Sequence, residues 1–90
     1  MTRPSPAAAL NGVQVGHICD RCSRGIRTGD KAVAYATYYE DDGWLIRRLM
    51  CDCGSRTIGL PTDGADEVLV KAVYWRGRLV GVTTVDRRRP

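Results

Sequence analysis

The residues of this chain best suited to chemistry are its four cysteines. They come as two tight pairs, Cys19-Asp20-Arg21-Cys22 and Cys51-Asp52-Cys53. Thiolates are soft donors, and two chelating pairs brought together by the fold complete the tetrahedral shell of one zinc ion. Four thiolates leave no coordination position open, so an ion held this way cross-links the chain rather than activating water. The expectation is one Zn2+ per chain on Cys19, Cys22, Cys51 and Cys53. Iron accepts the same four thiolates, as in rubredoxin-like sites, and the spacing does not separate the two metals.

Two other fates are open to the thiols. Two disulfides would need an oxidising compartment. The first nine residues hold Arg3, two prolines and three alanines but no apolar core of signal-peptide length. No stretch approaches the ~20 apolar residues of a membrane helix. The chain therefore reads as cytoplasmic, where paired cysteines stay reduced and favour metal. A thiol redox role for Cys19 and Cys22 is the other alternative, because a C-x-x-C spacing can lower a thiol pKa.

The second pair restricts the backbone around it. On a helix, side chains at i and i+2 diverge by about 200°, so both sulfurs could not face one ion. On extended chain they point the same way, so Cys51 and Cys53 belong to extended or turn backbone. His17 is the reserve ligand, two residues before Cys19, and imidazole is a good zinc donor. The plainer reading is a strand histidine near the metal. If His17 binds, it takes the place of Cys53.

A chain of 90 residues makes one domain with a marginal core, a size at which a structural metal often supplements hydrophobic burial. Residues 1–11 read as a disordered arm rich in Ala and Pro. Residues 12–86 form a single finger-like domain, with a metal half at 12–54, a connection at 55–66 and a C-terminal hairpin at 67–86. Residues 87–90 are a basic tail. Three of the four net positive charges sit in Arg87, Arg88 and Arg89, leaving the body near neutral.

In the metal half, Val13-Gln14-Val15 alternates like a short strand leading into the first pair. Gly25 is expected to take a positive φ that closes the loop around the metal, with Ile26 covering the site from the apolar side. Residues 31–39 alternate, Glu40-Asp41-Asp42-Gly43 signals a turn, and residues 44–50 return. Pairing Tyr39 with Trp44 sets Tyr35 opposite Arg48 and Val33 opposite Met50, and such cross-strand pairs stabilise a hairpin. This hairpin carries the chain from one cysteine pair back to the other. A short helix could start at Ser55, stopped by Gly59 and Pro61.

In the C-terminal segment, the β-branched runs Val68-Leu69-Val70 and Val80-Gly81-Val82 favour strands. A turn at Arg76-Gly77 sets Tyr74 opposite Leu79 and Val73 opposite Val80. The competing reading makes residues 66–75 a helix with Val68, Leu69, Ala72 and Val73 on one face.

Several stretches carry a resemblance to a known family. His17-Ile18-Cys19-Asp20-Arg21-Cys22, the hairpin Tyr35-Ala36-Thr37-Tyr38-Tyr39-Glu40 with Gly43-Trp44 and Arg47-Arg48, and then Cys51 resemble small uncharacterised zinc-finger proteins of halophilic archaea. So does the late segment Ala72-Val73-Tyr74-Trp75, Leu79-Val80-Gly81-Val82, Asp86-Arg87. More broadly, a C-x-x-C knuckle, a hairpin and a second cysteine pair resemble zinc-ribbon and treble-clef fingers. Those usually end in C-x-x-C where this chain has C-x-C, and halophile proteins are usually acidic where this one is basic. The resemblance implies a small β-rich, zinc-ribbon or treble-clef-like fold of two β-hairpins with little helix. It implies no activity.

Catalysis finds little support: there is one histidine, no nucleophile–base arrangement and no glycine-rich phosphate loop. The expected role is a binding, adaptor or regulatory module for a macromolecular partner, with no membrane and no small-molecule substrate. The alternative is direct nucleic-acid binding through Arg47, Arg48 and the tail Arg87, Arg88 and Arg89, with Tyr35, Tyr38, Tyr39 and Trp44 available to stack bases. The same aromatics also serve as a small core, and the acidic run at 40–42 carries the wrong charge for phosphate.

Overall fold

The computed structural model describes residues 5–51 and 65–88. A short helix α1, Pro6–Leu10, precedes four strands: β1 Lys31–Tyr39, β2 Gly43–Cys51, β3 Glu67–Trp75 and β4 Arg78–Arg88. They form one antiparallel sheet in the order β2-β1-β3-β4. Two hairpins thus stand side by side, joined where β1 pairs with β3 from Lys31↔Val73 to Thr37↔Glu67.

The C-terminal hairpin follows the sequence reading closely. Residues 67–75 are strand rather than helix, as the β-branched run favours. Tyr74 lies opposite Leu79 and Val73 opposite Val80. Arg76 and Gly77 both take positive φ, 49° and 84°, the pattern of a type I′ turn, whose twist matches that of the strands it joins.

The first hairpin departs from its expected register at one end. Tyr35 faces Arg48 and Val33 faces Met50, but Tyr38 rather than Tyr39 faces Trp44. The register shifts between Tyr35 and Ala36, where Arg47 is the extra residue of a β-bulge. Tyr39 closes the turn against Gly43, which takes a φ of 76°.

Opposite residues share a face, so the register sorts the sheet into two sides. One side carries Ala32, Ala34 and Ala36, with Leu49, Val68, Val70 and Leu79, all buried. Small side chains down the middle of this face leave room for bulk from its edges. The helix α1 touches both edge strands, β2 and β4.

Part of the N-terminal segment expected as a disordered arm, Pro6–Leu10, forms helix α1. Pro6 stands in the first turn of α1, where its fixed φ favours helix. Leu10 is 1% exposed and belongs to the core, and burying a leucine contributes about 1.5–3 kcal/mol. Residues 12–15 then run along β4: Gly12 N–H donates to Leu79 O, Leu79 N–H to Val13 O, and Val15 N–H to Gly77 O.

At the same end as α1, Arg87 grips Asp66 with two hydrogen bonds, Nε–Oδ1 at 3.1 Å and Nη2–Oδ2 at 2.8 Å. Its guanidinium also lies 5.2 Å from the centroid of Trp44, which packs edge-on against Tyr38 at 5.3 Å. The hydrogen bond to Asp66 raises the Arg87 pKa above its ordinary value. β4 runs through Arg88, so Arg87 and Arg88, expected in a tail, belong to the sheet. The possible helix from Ser55 lies outside the described residues, as does most of the 55–66 connection.

Candidate metal centre

The first cysteine pair sits in a tight loop formed before β1. Ile18 and Gly25 form an isolated antiparallel bridge, and Ile26 N–H donates to His17 O at 2.7 Å. Inside it, Cys19 N–H donates to Arg24 O and Ser23 N–H to Cys19 O, each at 2.9 Å. The loop closes through Ser23, which takes a φ of 62°. Gly25, the residue expected to turn the chain, has no positive φ. Serine can use the left-handed region when hydrogen bonds on both sides hold it there. Ile26 is buried in the core, as expected.

Asp20 docks this loop against the second cysteine pair. Its backbone N–H donates to Leu49 O, and its Oδ2 accepts from Leu49 N–H, both at 2.8 Å. Leu49 faces β1 on one side; on the other, these two bonds replace a missing strand. Two residues later β2 ends at Cys51, opposite Ala32. Asp20 is a functional residue the sequence reading passed over. Its signal was modest: a short acidic side chain inside the knuckle, a residue type that readily accepts from backbone N–H groups.

The result is a cluster of three thiols. The Sγ atoms of Cys19, Cys22 and Cys51 lie within 4.8 Å of one another, with Cys22 and Cys51 at 3.4 Å. A tetrahedral ion with bonds of about 2.3 Å keeps its sulfurs about 3.8 Å apart, so these spacings fit a thiolate-bound metal. None of the three is in a disulfide. Cys19 is buried, Cys51 half-buried and Cys22 exposed.

The backbone prepares Cys19 to be a thiolate. The N–H groups of Arg21 and Cys22 both point at its Sγ, at 3.4 Å. Burial pushes the thiol up, but backbone hydrogen bonds from Cys22, Cys51 and Arg21, with the Cys22 thiol, outweigh it. The net effect lowers its pKa from 9.0 to about 6. A donor already ionised at neutral pH binds a cation without first losing a proton.

The other expected site residues are scattered. Cys53 lies outside the described residues. His17 is exposed and is not a member of the three-thiol cluster. Arg47, the bulged residue, donates to the Tyr39 hydroxyl at 2.9 Å. Arg48 is exposed on the face opposite the alanines. Arg87 is engaged with Asp66 and Trp44. Arg88 is exposed, 4.0 Å from Asp86, and Arg89 lies outside the described residues. Among the described residues, Arg47, Arg48, Arg87 and Arg88 therefore lie apart on β2 and β4, the two edge strands.

Among the described residues, no helix is long and apolar enough to cross a membrane. The chain belongs to the family described as a domain of unknown function, DUF8112, whose model matches residues 4–87. No curated protein and no solved structure matches the chain.

Proposed function

We propose that this chain is a small metal-stabilised binding module of zinc-ribbon or treble-clef type, acting as an adaptor or regulatory protein in the cytoplasm. The convergence of Cys19, Cys22 and Cys51, with two backbone N–H groups already aimed at Cys19 Sγ, carries the reading. One zinc ion per chain is its occupant, with Cys53 as the fourth ligand and His17 as the reserve. The ion supplies a cross-link between the knuckle and the end of β2, holding a small sheet in one shape. A closed, thiolate-rich shell suits structure rather than catalysis.

Elemental analysis of the natively purified protein tests the reading. One zinc per chain, retained through gel filtration, supports it. Iron with a visible colour would replace it with electron transfer. Metal-free protein with freely titrating thiols would overturn it in favour of thiol redox chemistry. Comparing zinc affinity in Cys53→Ser and His17→Ala assigns the fourth ligand.

A further inference from the structure

The face of the sheet opposite the alanines is closed at one end and open at the other. Thr37, Glu67 and Leu69 are buried toward the β1–β2 turn. Toward the β3–β4 turn, Val73 is 36% exposed and Trp75 48%. Around these two residues the register places cations of β1, β3 and β4. Lys31 of β1 lies opposite Val73, and Lys71 of β3 opposite Val33. Arg78 of β4 lies opposite Trp75, and Arg48 of β2 opposite Tyr35 on the same side.

Lys31 and Lys71 are the chain's only lysines. They are diagonal neighbours on adjacent strands, a spacing of roughly 7–8 Å. Both are exposed, and neither is held by a carboxylate among the described residues. A shallow cavity of about 180 Å³ lies between them, lined also by Val33, Val73 and Gly81. At the open end, the Arg76 guanidinium lies 6.0 Å from the Trp75 ring centroid. Arg78 reaches over the edge to Gly12 O at 3.0 Å.

Among the described residues, one acid, Asp30, sits at this end beside Lys31. Asp30 has its carboxylate on the Arg27 N–H. Asp86, further along this face opposite Leu69, accepts from Arg87 N–H and lies beside Arg88. Glu67 is buried. The acidic run Glu40, Asp41 and Asp42 is at the opposite end of β1.

We infer that this open face binds single-stranded nucleic acid, with Trp75 as a base-stacking platform and Lys31 and Lys71 as phosphate contacts. The inference rests on the binding-module reading above and gives that module its partner. Charge complementarity requires a polyanion. The exposed indole, backed by an arginine, favours a polyanion that also presents flat aromatic faces, which a nucleic acid has and an acidic peptide lacks. An open sheet face suits an extended single strand with its bases splayed out.

The test is a fluorescence-anisotropy titration of the full metal-loaded chain with labelled oligo-dT and oligo-U of about 12 nucleotides, at two salt concentrations. Binding should weaken with salt. Trp75→Ala should weaken it by about tenfold or more. The double variant Lys31→Ala/Lys71→Ala should reduce the salt slope by about 1.4, with circular dichroism unchanged.

No binding by folded, metal-loaded protein would overturn the inference. So would binding insensitive to all three substitutions, or displacement of the oligonucleotide by polyglutamate at equal charge, which would point to an acidic protein partner. A preparation without metal that still binds in this manner would leave the inference standing and remove the metal reading, so the two fail separately.

Discussion

The two hairpins are built from strands of similar length, yet they are held by different means. β3–β4 is closed by a two-residue turn with both central residues at positive φ; its pairing is regular from the turn through Val73↔Val80 and shifts register twice beyond it, between Lys71 and Val73 and between Leu69 and Val70. β1–β2 has a longer acidic turn, and a bulge at Arg47 breaks its register. At its far end it meets the knuckle through Asp20 and the thiol cluster. A tight turn sets register locally. The hairpin with the longer turn takes a contact from elsewhere in the chain, and here that contact is a loop whose thiols could hold a metal ion.

Removing the metal should break the comparison most severely. Cys19→Ser, or a chelator, should remove on the order of 10 kcal/mol of metal-linked stability. In amide hydrogen exchange, protection should fall first at the knuckle and the Leu49–Cys51 end of β2, and last in β3–β4. Equal loss across both hairpins would mean that the metal does not act locally.

Arg87→Ala should come next, at about 2 kcal/mol, because it deprives the buried Asp66 of a two-bond partner and uncovers Trp44. Thermal melts would register the loss. Arg88→Ala, at an exposed pair, should change stability by less than about 1 kcal/mol.

Gly77→Ala targets the other hairpin and should cost about 1–2 kcal/mol, since it forces a Cβ into left-handed backbone at a φ of 84°. Its effect should persist in metal-free protein. Asp20→Ala should cost about 1 kcal/mol by losing the bond to Leu49 N–H. It should also weaken metal binding by about tenfold or more, the usual effect of removing a group that positions ligands.

Acidity should act on the knuckle. Cys19 is ionised more readily in the folded protein, with its pKa lowered from 9.0 to about 6. Its contribution is therefore full above pH 9 and is lost as pH falls through about 6. Denaturant melts of metal-free protein across that range should show the decline, and Cys19→Ser should flatten it.

Much of the fold was legible in the sequence because it is local. The I′ turn at Arg76-Gly77 set the pairs Tyr74↔Leu79 and Val73↔Val80, and the β-branched run decided strand over helix for β3. The thiols of Cys19, Cys22 and Cys51 were legible from spacing. The bulge was not: one extra residue at Arg47 leaves no mark in an alternating pattern. Helix α1 was missed because a five-residue segment carries no periodicity, and only the burial of Leu10 reveals its purpose.

The basic face was invisible for a different reason. Lys31 is distant in sequence from Lys71 and Arg78 and meets them only through the pairing of β1 with β3. Arg87 and Arg88, adjacent in sequence, lie on opposite faces of β4, with Arg87 drawn into an internal pair.

The docking of Asp20 onto Leu49 has a further consequence. An open antiparallel sheet has two bare margins that invite other chains to add strands. Here residues 12–15 cover part of the β4 margin, and the knuckle covers the β2 margin at Leu49. The cysteine loop is therefore also a guard against self-association. Stripping the ion would uncover a strand edge beside the exposed Leu45, and aggregation should follow demetallation before the second hairpin has melted.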